Sequence, residues 1–593
     1  MNGGGEGMRR SVFMCLLALL ALAVPAGARE YYVNIAVEQS GTGNIDKPFR
    51  TVEEAFTDRA DSGDIVHVAA GTYTLTKTLT LPAGVKLYGG YSSDFTRRDP
   101  EGFVSTLDAN GGAFSVVTCT DPDATPENTR IDGFTITGGT GTVGGSGNEC
   151  SYGGGMYIDG ASPTVTRCIF ANNVLAAIKT AYGGGMYINK GAASPRIVNC
   201  RFENNGTNIG GAAAGGGGLY AASKASPVVA SCTFENNVVQ GNGRGGGVHL
   251  NAVLASTEVK DCIFKGNQSN TWGGGLALTS SNPDIINCAF IGNKAGTNGG
   301  GISCNSGSGF GIFQCTFKEN TAGTSGGGVY ANGDPAFINC TFTQNEATGT
   351  KEATGGGGIF FNSYNTHTKV VQCSFVEDRA QYGADVSICG VTSANEKRIL
   401  MPFISSYVWN TGAFAEKPFY VRVNAQDKDY VRARHCAFMT NAVNTVEHIV
   451  NSSGNVVLDD GCVTISSGRL EEKEYAVNGV PHTVFKVVGV ETEGSKPLTG
   501  ESVANFNEFI KEFEFYKNST ENYIVDEEIV GLDQLGYSRN VESPTIGAVE
   551  PLGVKILTAS PPTARPGRRI PPPWIWTLRA APLSVSSAAF PQD

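Results

Sequence analysis

The sequence repeats itself, and a repeat of this period constrains the fold before any single residue is interpreted. Cys-x-Phe recurs at Cys168, Cys200, Cys232, Cys262, Cys288, Cys315, Cys340 and Cys373, at spacings of 25 to 33 residues. Three residues after each Phe stands Asn173, Asn205, Asn237, Asn267, Asn293, Asn320 or Asn345, with Asp378 in the last copy. Pro163, Pro195, Pro227, Pro283 and Pro335 stand five residues before the Cys of their copies. Three before it come Val165, Ile197, Val229, Val259, Ile285, Ile312, Phe337 and Val370. Strand side chains alternate between faces, so an apolar residue three before the Cys and another two after it cannot all point inward along one straight strand. The chain must therefore bend near the Cys. Asn199, Asn287 and Asn339 stand immediately before it, and Asn tolerates the left-handed conformation that a short corner needs.

Each unit is completed by a glycine cluster and a short apolar strand, as in Gly153-Gly154-Gly155-Met156-Tyr157-Ile158, with equivalents from Gly183, Gly215, Gly245, Gly273, Gly299, Gly326 and Gly355. The first and third positions after the glycines are mostly apolar, as in Met156/Ile158 and Val248/Leu250, and these face inward. The middle position faces outward and reads Tyr157, Tyr187, Tyr220, His249, Ala277, Ser303, Tyr330 and Phe360. Short strands, sharp corners and no helical periodicity describe one coil of an all-β, single-stranded parallel β-helix, a solenoid. At ~4.8 Å per coil, about a dozen coils make a rod about 60 Å long. The length differences fall between the Asn and the next glycine block and become loops on one side of the rod.

Composition agrees and removes some functions. Gly supplies 79 of the 593 residues, about twice its usual share, which suits a chain of tight turns. The net charge of -11 lacks the footprint of a nucleic-acid binder or of a protein held on an anionic membrane. Met8, Arg9 and Arg10, the apolar run Val12 to Val24 and Ala26-Gly27-Ala28 form the three parts of a signal peptide over residues 1–28, which predicts export. No later stretch is long and apolar enough to predict a transmembrane helix. Residues 551–593, with Pro561-Pro562 and Pro571-Pro572-Pro573, form a Pro-rich tail whose composition cannot build a core.

The glycine-cluster and Phe-x-x-Asn repeats of residues 153–378 resemble those of polymorphic outer membrane proteins and, more broadly, of secreted right-handed parallel β-helix proteins of the pectate-lyase-like superfamily. Tyr32-Val33, Pro48-Phe49-Arg50-Thr51-Val52, Gly63-Asp64-Ile65-Val66, Ala70-Gly71-Thr72-Tyr73 and Leu87-Tyr88-Gly89-Gly90-Tyr91 are similar to that superfamily's capping segment and first coils. Thr545 to Glu550 resembles the closing strand of surface-anchored members. The resemblance implies a right-handed helix and a cell-surface or secreted setting. Two departures stand out: a third glycine replaces the usual Ala, and no translocator barrel follows Glu550. The resulting organisation is a cap and first coils over 29–150, regular repeats over 151–390, degenerate coils with an insertion and end cap over 391–550, and then the tail. In the degenerate part, His435-Cys436-Ala437-Phe438 with Asn441 is a stray copy of the motif, and Val503, Phe506, Phe509, Ile510 and Phe513 have helical spacing.

Candidate chemistry is sparse. Eight cysteines occupy one inward position, which favours a column of buried free thiols over disulfides, since Cys packs as a small hydrophobe. Cys119, Cys150, Cys304 and Cys389 lie outside that column, where a disulfide stays open. Gly323-Thr324-Ser325-Gly326-Gly327 matches G-x-S-x-G but is one of the glycine blocks, without the strand-turn-helix setting of a nucleophile. Asp121, Asp123 and Glu127 have the composition of a calcium loop, and equally of an exposed acidic turn. No metal and no cofactor is predicted. The outward stripe of Tyr157, Tyr187 and Tyr220, with Tyr330 further along, is the candidate ligand-binding face: rings on adjacent coils could stack on a glycan or a protein partner, or stack on one another and only stabilise the rod. These readings predict a monomeric, exported β-helix with a non-catalytic adhesion or glycan-interaction role, its partner a polysaccharide or a host or cell-surface protein. The alternative is a polysaccharide lyase or glycoside hydrolase acting on an acidic glycan, and its signature would be Asp, Lys and Arg converging on one outward face.

Overall fold

In the computed structural model, residues 28–493 are described apart from short internal stretches, the longest being 392–400, 410–418, 424–430 and 440–449. The signal-peptide residues 1–27, His435, Cys436 and Asn441 of the stray copy, the helical spacing at 503–513, the closing strand at 545–550 and the tail lie outside the described residues.

Three long parallel sheets run the length of the described chain. The first begins at Glu30–Val33 and proceeds through Ile65–Ala69, Lys86–Tyr91, Arg130–Asp132, Thr164–Thr166 and Arg196–Val198 to Val456–Leu458. The second runs from Leu79–Thr80 through Val117–Cys119, Met156–Asp159 and Met186–Asn189 to Val450–Ser452. The third runs from Gly71–Thr74 through Ser105–Asp108, Phe134–Thr137 and Ile169–Ala171 to the long hairpin Val463–Val477 and Val480–Glu493. Each coil contributes one strand to each sheet, in a register that superposes equivalent residues: Ile158 on Ile188, Val165 on Ile197, Phe170 on Phe202. That is a parallel β-solenoid.

Local backbone chemistry makes the coil. The residue before each ladder Cys from Cys168 to Cys340 is left-handed, with φ of 54° at Asn199, 50° at Asn287 and 56° at Asn339, and the same corner is forced on Arg167 at 50° and Asp261 at 54°. A second left-handed corner precedes each ladder Asn, as at Asn172, Asn204 and Asn236. Inside, Phe170, Phe202, Phe234, Phe264, Phe290, Phe317, Phe342 and Phe375 form a continuous stack with centroids 4.6 to 5.0 Å apart. The column is fully buried and close-packed, as protein interiors are.

The Cys column beside it consists of buried cysteines not joined in disulfides, and Cys119, Cys304 and Cys389 are also buried and outside disulfides. Burial pushes the thiols of Cys168, Cys200, Cys288, Cys315 and Cys373 well up, so they are protonated and unreactive. Their sulfurs sit near carbonyls, Cys200 Sγ lying 3.5 Å from Val165 O and 3.4 Å from Val198 O.

The ladder asparagines do more than turn the chain. Asn205 Nδ2 donates to Phe170 O one coil back (2.7 Å) and to Asn237 Oδ1 one coil on (3.1 Å), while Asn237 Oδ1 also accepts Asn205 N at 3.0 Å. The pattern repeats from Asn173 to Asn345, satisfying buried polar groups that would otherwise be costly. The third glycine of each cluster is explained by space. A Cβ on Gly155 would stand 2.6 Å from Gly185 O and 2.8 Å from Phe170 Cδ1, so an Ala does not fit there.

The tip of the terminal hairpin folds back over the third sheet. His482 Nε2 lies 2.7 Å from Asn287 Oδ1 and Nδ1 lies 3.1 Å from Thr316 Oγ1, Asn478 Nδ2 donates to Asp261 Oδ1, and Lys318 reaches Glu472 and Glu474. It rests where the outward column holds the small residues Ala289 and Thr316.

Candidate functional site

The predicted Tyr stripe lies on the outward face of the second sheet, but its rings use their faces on one another. Tyr157 stacks on Tyr187 at 5.4 Å and 11°, and Tyr187 on Tyr220 at 5.6 Å and 3°. Tyr152 and Tyr182, from neighbouring strands of a small four-stranded sheet, pack against the same group, and Tyr182 stacks on Tyr220 at 4.4 Å. Tyr187 and Tyr220 keep only 9% and 4% of their exposure. Sugar rings therefore cannot lie flat between successive tyrosines. What the stripe offers is its edges and hydroxyls. Burial raises the phenols further, Tyr220 to about 12, so they stay protonated.

Tyr330 is set apart from the other three. It stacks on Phe360 at 5.5 Å, and the small residues Ala277 and Ser303 separate it from His249 and Tyr220. Trp272, with the Arg244 guanidinium 4.2 Å above its ring, lies 6.5 Å from Tyr330. His249 is buried, which holds its imidazole near a pKa of about 3 and therefore neutral.

Two residues beyond the outward position, the same face carries the half-buried Asp159, Asn189, Asn251, Thr279, Asn305 and Asn332, a row interrupted by the buried Ala222 in the Tyr220 coil. They are linked side to side: Asn189 Nδ2 donates to Asp159 Oδ1 and Asn332 Nδ2 to Asn305 Oδ1, while Asn251 Nδ2 donates to Tyr220 Oη at 2.9 Å. The second sheet thus presents a lengthwise strip of ring edges beside amide and hydroxyl groups.

A second constellation, not singled out by sequence reasoning, lies on the outward face of the first sheet near its start. Asp132 is 1% exposed and bonds three arginines: Arg98 Nη2 to Oδ1 at 2.7 Å, Arg167 Nε to Oδ1 at 3.0 Å and Nη2 to Oδ2 at 2.7 Å, and Arg130 Nη1 to Oδ2 at 3.5 Å. Burial alone would push this carboxyl up; the Arg167 and Arg98 guanidiniums outweigh burial and hold it below its ordinary value. Arg98 also lies over the rings of Tyr88 (5.1 Å) and Tyr91 (5.6 Å). His67 stacks on Tyr32 at 4.9 Å, and its Nε2 is 3.6 Å from Glu30 Oε2, outside hydrogen-bond reach. Burial lowers its pKa.

This is the convergence of Asp and Arg named above as the mark of an enzyme, but its protonation states suit recognition. The one carboxylate is saturated by guanidiniums and is a weak base, and guanidiniums stay protonated. Elsewhere, Asp121 is occupied by turn contacts, accepting Asp123 N at 3.0 Å and Ala83 N at 3.4 Å. No three His, Cys, Asp or Glu side chains converge as metal ligands among the described residues. Ser325 of the G-x-S-x-G match is buried in a ladder between Asn298 and Gly355.

A family model for right handed beta helix regions matches residues 123–294 and again 212–375, and with the three parallel sheets it defines the class: a right-handed parallel β-helix. The chain is similar to a solved rhamnogalacturonan lyase, at 17% identity over 65% of this chain and 83% of that one, with a TM-score of 0.20. No curated protein matches the sequence. No helix among the described residues is long and apolar enough to cross a membrane.

Proposed function

We propose that the protein is an exported, cell-surface or extracellular β-helix that binds extended glycans without cleaving them and so serves adhesion. The observation that carries this reading is the strip on the second sheet, where the edges of Tyr157, Tyr187 and Tyr220 run beside Asp159 and Asn189 and, past Ala222 in the Tyr220 coil, Asn251 of the next coil. A linear polymer of hydroxyl-rich rings matches a straight, repeating row of donors and acceptors. The repeats that resemble polymorphic outer membrane proteins and the predicted signal peptide favour a surface setting. A host or cell-surface protein is the other partner such a strip could take.

The test is a panel of neutral and acidic polysaccharides, scored for binding and for unsaturated product or new reducing ends. Tyr157→Phe with Tyr187→Phe keeps the ring stack and removes two hydroxyls. Binding should weaken several-fold at an unchanged thermal midpoint, roughly one neutral hydrogen bond of ~1 kcal/mol per hydroxyl. Absence of binding to every polysaccharide would refute the reading. In a second reading, a lyase or hydrolase on an acidic glycan, the Asp132 cluster would only hold the substrate, and product formation on any substrate would establish it.

A further inference from the structure

The outward column of the first sheet changes character along the rod. In register it reads Glu30, Ile65, Lys86, Arg130, Thr164, Arg196, Val228, Glu258 and Asp284. In a chain of net charge -11, the stretch from Lys86 to Arg196 carries cations and no carboxylate in the column, with acidic residues only two coils before it, at Glu30, and from two coils after it, at Glu258. Arg98 and Arg167 flank the same stretch. Among the described residues the only carboxylate ion-paired to these five is Asp132, which faces three of them, so the patch holds a clear excess of positive charge. Among the described residues Lys86 and Arg196 have no salt bridge, and the Asp132 contact of Arg130 is long at 3.5 Å.

Exposure divides the roles. Asp132 is sealed in, and Arg98, at 19% side-chain exposure, is pinned to Gly89 O, Asp132 O and Asp132 Oδ1 and acts as scaffold. Arg130 and Arg167 keep 35% and 49% exposure, and each has guanidinium N–H groups that Asp132 does not use. Arg167 holds this place with φ of 50°, a left-handed corner where other coils use Asn. Asp132 thus orients two planar guanidiniums outward, the form that binds an oxyanion through paired hydrogen bonds. Lys86 sits one coil before Arg130 and Arg196 two coils after it, so cations recur along the axis at multiples of ~4.8 Å.

We infer that Arg130 and Arg167, with Lys86 and Arg196 in line, form a docking site for the oxyanion groups of a linear acidic polysaccharide, carboxylate or sulfate ester. This site is separate from the tyrosine strip on the second sheet, and it rests on the glycan reading only in taking a polysaccharide as the polymer. The step is binding alone; no bond is made or broken.

The experiment uses the full chain with three probes: polygalacturonate oligosaccharides for carboxylate, heparin oligosaccharides for sulfate, and dextran as the neutral control. Titration calorimetry at low and high salt should show at least one acidic probe binding with an affinity that falls with salt, as exposed charge contacts do. Which acidic probe binds identifies the oxyanion. Arg130→Gln with Arg167→Asn removes the two outward guanidiniums, and Asn suits the left-handed corner and leaves Arg98 on Asp132. This double variant should lose about tenfold or more in affinity for the acidic probe, the scale of charge-assisted hydrogen bonds. Its thermal midpoint checks that it is folded, and Arg196→Gln, a fully outward change, should weaken binding alone to a smaller degree. Tyr157→Phe with Tyr187→Phe should leave the acidic probe bound. Failure of both acidic probes to bind, or equal binding by the wild type and the arginine variants, overturns the inference. Loss in the tyrosine variant alone would place acidic binding on the strip, overturning this site while sustaining the glycan reading.

Discussion

Asp378 ends the asparagine ladder, and replacing it should stabilise the protein at neutral pH. Asp378 Oδ1 accepts Asn345 N at 2.8 Å and Asn345 Nδ2 at 2.9 Å, just as an Asn oxygen does in the earlier coils. Its Oδ2 stands where the other copies carry Nδ2. It is buried and has no hydrogen-bond partner. In the coil before, Asn345 Nδ2 donates to Phe317 O at 3.0 Å, and an ionised Asp378 has no donor to offer the next carbonyl in that series, Phe342 O. Asp378→Asn supplies that donor. An orphaned buried polar atom costs about 1–3 kcal/mol, so the variant should gain about that much at pH 7. Burial pushes the Asp378 carboxyl well above its ordinary value, so the native fold favours the protonated form, whose O–H can take the amide's role. The sign follows by linkage. A raised carboxyl adds stability that is fully present below the unfolded value, about 3.9, and is lost as pH rises through the folded value. The loss is at most about 1.4 kcal/mol per pH unit. Asp378→Asn lacks this slope, so its advantage should vanish near pH 3 and grow toward neutrality. Solenoid coils report locally, so urea melts from pH 3 to 8 should be paired with amide exchange on the strands at 341–343 and 374–376. A variant less stable than wild type at pH 7, or a difference independent of pH, would refute the reasoning.

Two further perturbations probe the rod and its strap. Gly155→Ala should destabilise the coils around Phe170, because the new Cβ meets Gly185 O and the Phe170 ring; a cost of about 1–3 kcal/mol is expected from overpacking, and an unchanged melt would show that the third glycine is incidental. Burial holds His482 down at about 4, so hairpin docking is strongest above the unfolded value near 6.5 and weakens as pH falls through the folded one. Asp261, Lys318, Glu472 and Glu474 face the same contact, so Lys318→Gln should be run beside it. Proteolysis at the Val477-Asn478-Gly479 tip should accelerate between pH 6 and 4, and a rate independent of pH in both proteins would remove His482 as the cause.

The solenoid was legible because its core is a set of columns, and a column shows in sequence as an identity at a fixed offset. Cys168, Phe170 and Asn173 recur as a unit, and the bend argued from alternation is the left-handed corner at Asn199, Asn287 and Asn339. The Asp378 exception was visible too, although its meaning needed the hydrogen bonds between coils. The faces were harder to read. An outward position is free of the packing that forces identity, so Tyr157, Tyr187 and Tyr220 gave away their place but not that their faces are consumed by stacking. The Asp132 cluster was hidden for a different reason. Arg98, Asp132 and Arg167 come from a loop, a strand and a corner, 34 and 35 residues apart, in coils that precede or open the Cys-x-Phe series. Without that signature nothing on paper sets Lys86 against Arg130, or Arg130 against Thr164 and Arg196. Once the inward series Leu87, Ile131, Val165 and Ile197 fixes the register, the residue before each of these is determined, and the cationic row follows from it. In this architecture the inward column sets the alignment of a surface whose chemistry it does not encode, so a binding face must be sought by reading outward columns after the register is known.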